Sequence, residues 1–195
     1  MALSVLLGGA RSGKSTLALK HGLVYDGPVC FIATATAGDR EMAARIARHR
    51  TERPEGWETV EEPLELDSAL ARAREDALVI VDCLTLWVSN QLAAGASDSE
   101  IAEHADRAAG RAAGRPAPAI AVSNEVGQGI VPADPLARRF RAIHGHVNAI
   151  WVARAERASL VVAGALLELA VPDPSQSSGL YALPVSESNP PPLRP

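Results

Sequence analysis

A glycine-rich octapeptide close to the N-terminus limits the folds that are open to this chain. Residues 8–15 read GGARSGKS and match the pattern G-x-x-x-x-G-K-[ST]. An apolar run precedes the octapeptide and a helical pattern follows it, which is the context in which this motif forms a phosphate-binding loop, or P-loop. In such a loop the glycines let backbone N–H groups face phosphate oxygens, and the next helix presents its positive end.

The motif also predicts individual roles for two of its side chains. Lys14 is expected to reach the β- and γ-phosphates of a nucleotide, and the Ser15 hydroxyl to bind Mg²⁺. Of the 19 lysines and arginines only Lys14 and Lys20 are lysines, so composition does not explain an ammonium group here, where an arginine would not replace it. The predicted nucleotide-binding residues of the loop are Gly8, Gly9, Ala10, Arg11, Ser12, Gly13, Lys14 and Ser15.

An acidic residue at the end of an apolar strand is the expected second anchor for Mg²⁺ in a P-loop protein. Residues 78–82, LVIVD, have that form. Asp82 is therefore predicted to lie on the metal side of the site with Ser15. The alternative is an aspartate that caps a helix or turn after the strand.

Short aliphatic runs alternate with Ala- and Arg-rich helical stretches along most of the chain. This alternation is typical of parallel strands joined by crossover helices, and continuous apolar runs suit strands that are covered on both faces. We therefore predict an α/β fold with a mainly parallel central sheet flanked by helices. Predicted strands cover residues 3–7, 29–33, 78–81, 119–123 and 159–163, with a weaker strand at 57–60. Predicted helices cover residues 14–21, 41–51, 63–74, 99–112 and 136–158.

Composition separates a globular part from a tail. Residues 1–171 are predicted to form one nucleotide-binding domain, and residues 172–195, which hold seven of the 14 prolines, a largely disordered tail. A short strand at residues 180–185 is an alternative for part of that tail.

The net charge of −4 argues against a general nucleic-acid binder. Cys30 and Cys83 lie in apolar runs, which predicts buried thiols and a cytoplasmic protein. The apolar stretch at residues 160–167 is too short for a membrane span, so none is predicted.

The segment EMAARIARHR, residues 41–50, places a histidine among arginines on a predicted helix. His49 has Arg45, Arg48, Arg50 and Arg53 as sequence neighbours. Their positive charge disfavours the imidazolium form and favours a neutral, nucleophilic imidazole, and the same arginines could hold a triphosphate. The residues alone do not decide between this role and a solvated surface histidine.

Three segments in a fixed order resemble one enzyme family. They are GGARSGKS, ATATAGDREMAARIARHRTERP and SNEVGQGIVPADPLARRFRAIHGHVN, and VDCLTLWVSN lies between the last two. Together they resemble the bifunctional adenosylcobinamide kinase/adenosylcobinamide-phosphate guanylyltransferases of cobalamin biosynthesis. The resemblance runs from about residue 3 to residue 162, so only the end of the chain falls outside it.

The resemblance implies a RecA-like P-loop enzyme that acts twice on one corrinoid. It implies phosphorylation of adenosylcobinamide by ATP or GTP, followed by transfer of GMP from GTP to the adenosylcobinamide phosphate with release of pyrophosphate. In this family the GMP passes through the histidine of an R-I-x-x-H motif, which corresponds to His49. The family also implies Mg²⁺ as cofactor and a homotrimer as the assembly.

The same resemblance implies nucleotide-binding residues outside the P-loop. They are Thr34, Ala35, Thr36, Arg50, Thr51, Glu52, Arg53, Glu62 and Asp82. Glu61 is adjacent to Glu62 and is also open, and we favour Glu62. Glu125 becomes a candidate for orienting corrinoid or nucleotide, whereas the residues alone predict a turn capped by Asn124.

Two other functions stay open. The P-loop could serve GTP alone, which would leave a guanylyltransferase without kinase activity. The chain could instead be a regulatory P-loop ATPase or GTPase module that acts through a partner and does not need His49. The Asn-Lys-x-Asp base-recognition motif of common GTPases is absent from the sequence, which counts against the regulatory module.

Overall fold

The computed structural model describes residues 3–38, 40–51 and 53–171, and within them strands and helices alternate. The strands are β1 (Leu3–Gly8), β2 (Val29–Ala33), β3 (Glu58–Glu61), β4 (Leu78–Asp82), β5 (Ala119–Val122), β6 (Arg157–Val162) and β7 (Ala165–Leu169). The helices are α1 (Lys14–Leu23), α2 (Arg40–Thr51), α3 (Leu66–Arg72), α4 (Leu84–Ala93), α5 (Asp98–Ala113) and α6 (Pro135–Arg154).

The strands form one sheet in the order β3-β2-β4-β5-β1-β6-β7. Every neighbouring pair is parallel except β6 and β7, which form an antiparallel hairpin. The central strands β2 and β5 are buried along their whole length, as expected for strands with helices on both faces. The predicted α/β fold with a mainly parallel sheet is confirmed.

The sheet order brings the ends of four strands to one edge. The parallel strands β2, β4, β5 and β1 are consecutive in the sheet, so the loops after their carboxyl ends lie side by side. The P-loop follows β1, Thr34 follows β2, Asp82 ends β4 and Asn124 follows soon after β5. This edge is where parallel α/β sheets place their ligand-binding loops.

The core is aliphatic and continues into the helices on one face of the sheet. Trp87 of α4 and Trp151 of α6 are both fully buried there. The indole N–H of Trp87 donates to the carbonyl oxygen of Leu64 at 2.8 Å, so this buried polar group is paired. Both tryptophans therefore belong to the core of the fold.

Three elements differ from the sequence predictions. Helix α4 was not predicted, because LTLWVSNQLA is apolar on most sides and lacks the polar face that marks a surface helix. Strand β7 was also missed, and α6 ends at Arg154 rather than at residue 158 because the chain enters β6 at Arg157.

The predicted tail and the alternative strand at 180–185 lie outside the described residues. Among the described helices, none is long and apolar enough to cross a membrane.

Candidate active site around the P-loop

Two glycines give the P-loop its backbone path. Gly8 has a φ of +150°, and a Cβ at this position would clash with the carbonyl oxygen of Val161 on β6. Gly13, immediately before α1, has a φ of +105°, a conformation that side chains with a Cβ rarely adopt. Helix α1 begins at Lys14, so the loop leads directly into a helix N-terminus. This is the geometry that binds phosphate oxygens through backbone N–H groups.

Lys14 is a buried cation within the loop. Its side chain is only 6% exposed. Its Nζ donates to the carbonyl oxygen of Gly9 at 2.7 Å and to Ser12 Oγ at 3.3 Å. These contacts fold the ammonium group back over the loop and hold it where an anion would enter.

Ser15 and Asp82 meet at the base of the loop. A hydrogen bond links the Ser15 side chain to the Asp82 carboxyl group. Burial raises the pKa of Asp82, and the Ser15 hydrogen bond together with the nearby positive charges of Arg53 and Lys14 opposes that rise. The structure therefore joins a hydroxyl and a carboxyl oxygen beside the P-loop.

Two adjoining cavities open at this edge of the sheet. The first, here called the phosphate pocket, is lined by Ala10, Arg11, Ser12, Gly13, Lys14, Ser15, Thr16, Ala44, Arg48, His49, Asp82, Cys83, Val122 and Asn124. The second, here called the side pocket, is lined by Ser15, Ala33, Ala35, Met42, Ile46, His49, Arg50, Arg53, Glu61, Asp82, Cys83 and Leu86. Ser15, His49, Asp82 and Cys83 line both pockets.

His49 lies at the boundary between the pockets. It belongs to the last turn of α2, and the apolar residues Met42 and Ile46 of this helix line the side pocket. Its side chain is partly buried, so it is not the fully solvated surface histidine that the residues alone left open. The structure brings it together with Lys14, Ser15 and Asp82, which lie far from it in sequence.

Arg50 and Arg53, which follow His49 in the chain, line the side pocket and have distinct partners. Arg50 forms an ion pair with Glu61 at the end of β3. The guanidinium carbon of Arg53 lies 3.8 Å from the centre of the Phe31 ring, a cation–π geometry. Both arginines therefore place positive charge beside the cavity.

Glu61, rather than the favoured Glu62, lies at the side pocket. The Glu62 carboxylate instead accepts the backbone N–H groups of Leu64 and Glu65 at 3.1 and 2.9 Å. It thereby satisfies N–H groups in the turn before α3, and Arg72 donates to it at 3.4 Å. Its observed contacts are those of a residue that stabilises this turn.

Several predicted residues do not line either pocket. Thr34 is fully buried and hydrogen-bonds to Cys83, and Thr36 is exposed with one long contact to Asn90. Thr51 Oγ1 donates to the carbonyl oxygen of Arg48 within α2. Gly8 and Gly9 shape the loop rather than line the cavity, and Glu52 lies outside the described residues.

Cys83 and Asn124 are among the residues that line the phosphate pocket without a site role predicted from the sequence. Cys83 was predicted to be only packed, yet it is partly exposed and lines both pockets. Asn124 was predicted as a turn cap, although its position after β5 was a signal for the site. The neighbouring Glu125 accepts the backbone N–H of Gly127 at 2.6 Å, which is a turn contact.

Fold and loop together define the class of protein. Among solved structures, the chain is similar to a Pyrococcus horikoshii OT3 protein with a TM-score of 0.51 and 9% identity, covering 86% of this chain and 85% of that one. It is also similar to an ATPase from the type III secretion system of pathogenic bacteria, with a TM-score of 0.51 and 14% identity, covering 82% of this chain and 50% of that one. The chain is a RecA-like P-loop protein.

Sequence comparison identifies the family. The family model described as cobinamide kinase / cobinamide phosphate guanyltransferase matches residues 4–169. The bifunctional adenosylcobalamin biosynthesis protein CobP of Pseudomonas aeruginosa is 43% identical over 162 residues, which cover 82% of this chain and 92% of that protein. The corresponding CobU of Escherichia coli is 40% identical over 174 residues, which cover 82% and 95%. The chain therefore belongs to the cobinamide kinase/cobinamide phosphate guanyltransferase family.

Proposed function

We propose that this protein phosphorylates adenosylcobinamide with ATP or GTP and then transfers GMP from GTP to the resulting adenosylcobinamide phosphate. The products of the second step are adenosylcobinamide-GDP and pyrophosphate. The observation that carries this proposal is the position of His49 between the P-loop pocket and a second cavity. Nucleotide binding or hydrolysis alone does not require a nucleophilic imidazole there, whereas transfer of GMP through a covalent intermediate does.

In the kinase step the P-loop residues bind the nucleotide phosphates. Backbone N–H groups of residues 8–15 and the N-terminus of α1 supply donors, and the Lys14 ammonium group supplies the positive charge. Lys14 is already held in the loop by its hydrogen bonds to Gly9 and Ser12, so its side chain needs little rearrangement when the nucleotide binds. The adenosylcobinamide hydroxyl oxygen forms a bond to the γ-phosphorus as the bond to the nucleoside diphosphate breaks.

Ser15 and Asp82 fit Mg²⁺, because this ion prefers oxygen ligands such as hydroxyl, carboxylate and phosphate groups. Burial raises the pKa of Asp82, so a cation bound beside it would favour the carboxylate form. We therefore assign the metal ligands from this chain to Ser15 and Asp82. When bound, Mg²⁺ offsets negative charge on the nucleotide phosphates.

In the guanylyl transfer His49 acts as the nucleophile. One ring nitrogen attacks the α-phosphorus of GTP, so that an N–P bond forms while the P–O bond to pyrophosphate breaks. A phosphate oxygen of adenosylcobinamide phosphate then attacks the same phosphorus, the N–P bond breaks, and the imidazole is restored. Each displacement forms one bond and breaks one.

Residues around His49 are proposed to bind the nucleotide. Arg50 and Arg53 supply positive charge beside the side pocket, and Ala35 and Glu61 complete its wall. We propose Glu61 in place of Glu62 for this role. Thr34, Thr36, Thr51 and Glu52 remain proposals of the family resemblance, and the contacts of Thr34 and Thr51 favour a supporting role.

The assembly and location are also proposed from the resemblance. We expect a cytoplasmic homotrimer that binds no nucleic acid. The outer hairpin of β6 and β7 carries exposed apolar side chains at Val162, Leu166 and Leu167, which is consistent with a subunit contact. Sedimentation velocity of the purified protein would measure the assembly directly.

A labelling experiment tests the proposed function. Wild-type, His49→Ala and His21→Ala proteins are incubated with Mg²⁺ and GTP labelled at the α-phosphorus and then denatured. His21 is an exposed histidine in the last turn of α1, which makes it the matched control. We expect an acid-labile, alkali-stable label on wild type and His21→Ala, none on His49→Ala, and unchanged phosphorylation of adenosylcobinamide by His49→Ala.

Each other outcome favours a different function. Labelled protein that does not phosphorylate adenosylcobinamide would be a guanylyltransferase alone. Folded wild-type protein that acquires no label but phosphorylates adenosylcobinamide would show that His49 is not the nucleophile. Protein that does neither would favour the regulatory P-loop module.

A further inference from the structure

We infer that the carboxamide of Asn124 contacts the terminal phosphoryl group of the bound nucleotide and that a buried chain of hydrogen bonds reaching His144 holds Asn124 in position. The inference deepens the proposed function and rests on one part of it, the binding of a nucleoside triphosphate in the phosphate pocket. Asn124 would be a binding residue, and Ser123, His144, Asn148 and Thr85 would be positioning residues.

The sheet order places Asn124 where the terminal phosphate would lie. Strand β5 lies between β4, which ends at Asp82, and β1, which leads into the P-loop. Asn124 follows β5 and lines the phosphate pocket together with Lys14, Ser15 and Asp82. In a P-loop the lysine and the metal-side residues surround the β- and γ-phosphates, so Asn124 faces the same end of the nucleotide.

The backbone of Asn124 is held on both sides. Its N–H donates to Thr85 Oγ1 on α4 at 2.8 Å, and its carbonyl oxygen accepts from Asn148 Nδ2 on α6 at 3.0 Å. The next residue, Glu125, donates its backbone N–H to the carbonyl oxygen of Gly8 at 2.9 Å. The hydrogen bonds of Asn124 within the described residues thus use its backbone, which leaves its carboxamide available to a ligand.

Asn148 is itself oriented by a buried serine and histidine. Ser123 Oγ donates to Asn148 Oδ1 at 2.6 Å, and this contact turns Asn148 Nδ2 toward the carbonyl of Asn124. His144 Nε2 lies 3.1 Å from Ser123 Oγ and 3.2 Å from Thr85 Oγ1. His144 therefore connects Thr85, which holds Asn124 on one side, with Ser123, which orients Asn148 on the other side.

The contacts also assign the proton on His144. Ser123 uses its hydroxyl proton for Asn148, so Ser123 Oγ can only accept from His144 Nε2. The other ring nitrogen, Nδ1, is buried and has no hydrogen-bond partner among the described residues. A buried N–H without an acceptor is unfavourable, so His144 is neutral with its proton on Nε2. The chain then runs in one direction, from His144 through Ser123 and Asn148 to Asn124.

These hydrogen bonds, here called the Asn124 brace, come from Thr85, Ser123, His144 and Asn148, and they fix the position of Asn124 in a loop. Residues 123–134 connect β5 to α6 without a helix or strand, and a residue on such a connection is poorly fixed unless other elements hold it. A binding group that is already in place loses less conformational entropy when the ligand arrives. The brace joins three elements, α4, α6 and the end of β5, at Asn124.

Calorimetric titration with two nucleotides tests the inference. Wild type, Asn124→Ala, Ser123→Ala, Thr85→Val and the double variant Asn124→Ala/Ser123→Ala are titrated with Mg²⁺-GMPPNP and with Mg²⁺-GDP. Ser159→Ala is the matched control, because Ser159 is also a buried strand serine with one side-chain hydrogen bond, to Glu168 at 3.2 Å. Thermal unfolding of each variant verifies that it is folded.

We expect Asn124→Ala to weaken GMPPNP binding by about tenfold, as for loss of one hydrogen bond to a charged group, and GDP binding by less than about twofold. Ser123→Ala and Thr85→Val should weaken GMPPNP binding by about threefold, and Ser159→Ala should match wild type. Ser123→Ala should have no further effect in the Asn124→Ala background, because a positioning residue acts only through the group it positions.

Three results would overturn the inference. They are unchanged GMPPNP binding by Asn124→Ala, equal losses for GMPPNP and GDP, and an undiminished effect of Ser123→Ala in the double variant, which would indicate a general structural role. The assay needs no corrinoid, so it separates this inference from the proposed function. Wild-type protein that binds GMPPNP but does not phosphorylate adenosylcobinamide would contradict the proposed function. The titrations would still test whether Asn124 contacts the terminal phosphoryl group.

Discussion

Thr34 and Cys83 exchange two hydrogen bonds between the ends of neighbouring strands. Thr34 Oγ1 donates to the Cys83 carbonyl oxygen at 2.7 Å and accepts from the Cys83 N–H at 2.9 Å. The Thr34 N–H also donates to the carbonyl oxygen of Asp82 at 3.2 Å. Because of these contacts the position of Asp82 depends on β2 as well as on its own strand. Thr34 therefore fixes the backbone of a site residue without lining either pocket.

Replacing Thr34 with valine should destabilise the protein although the two side chains have the same shape. The variant leaves the backbone N–H of Cys83 without the hydroxyl of the fully buried Thr34 as its partner. This loss costs about 1–3 kcal/mol of unfolding free energy. Urea unfolding would measure the difference. Thr36→Val is the control, since Thr36 is exposed, and its change should stay within about 0.5 kcal/mol. Equal effects of the two substitutions would mean that the Thr34 contacts contribute nothing to stability.

Two adjacent glycines of the P-loop should differ sharply in their tolerance of alanine. At Gly8 a Cβ would meet backbone atoms of Val161, and φ is +150°, so Gly8→Ala should lower the unfolding free energy by about 1–3 kcal/mol. At Gly9 a Cβ has nothing within 4 Å, so Gly9→Ala should change stability by less than about 0.5 kcal/mol. Thermal and urea unfolding of both variants would check this. A Gly9→Ala protein as unstable as Gly8→Ala would contradict the steric explanation.

The two lysines of the chain should have opposite importance for nucleotide binding. Lys14→Met removes the buried ammonium group of the P-loop, and we expect triphosphate affinity to fall by about a hundredfold or more, consistent with loss of a charged hydrogen bond in a confined site. Lys20 lies on the exposed part of the same helix, so Lys20→Met should bind as wild type does. Calorimetric titration with Mg²⁺-GMPPNP compares them. Similar affinities for the two variants would show that Lys14 does not contact the phosphates.

Burial of His144 should make the protein sensitive to mild acid. Burial lowers the pKa of His144 to about 4, so between pH 6.5 and 4 the unfolded chain binds a proton that the folded chain does not. The stabilisation is complete above about pH 6.5 and is lost as the pH falls toward 4, by about 2 kcal/mol between pH 7.5 and 5.

Urea unfolding at those two pH values would measure this effect. His144→Gln should lose less stability than wild type on acidification, because glutamine does not titrate. The exposed His21 provides a control, and His21→Gln should follow wild type. The same loss in His144→Gln as in wild type would assign the acid sensitivity to other groups.

Most of the sheet and part of the site could be predicted from residue patterns. Strands β1, β2, β4, β5 and β6 were predicted to within two residues at each end, because apolar runs bounded by Gly, Pro or charged residues are strong local signals. Helix α4 gave no such signal, because a helix apolar on most sides does not differ in pattern from a buried strand. Strand β7 continues the apolar character of β6, and only the turn at Ala163 and Gly164, both with positive φ, separates them.

Local sequence patterns identified the P-loop, the acidic end of β4 and the histidine among arginines, because each depends on residues that are close together in the chain. Which distant groups meet depends on the tertiary structure. It placed Glu61, the last residue of β3, rather than Glu62 at the side pocket, because the Glu62 carboxylate accepts the backbone N–H groups of Leu64 and Glu65 instead. It brought His49 to the boundary of two cavities and fixed Asn124 through residues of α4 and α6. Those positions depend on strand order and helix packing, which no local pattern of residues specifies.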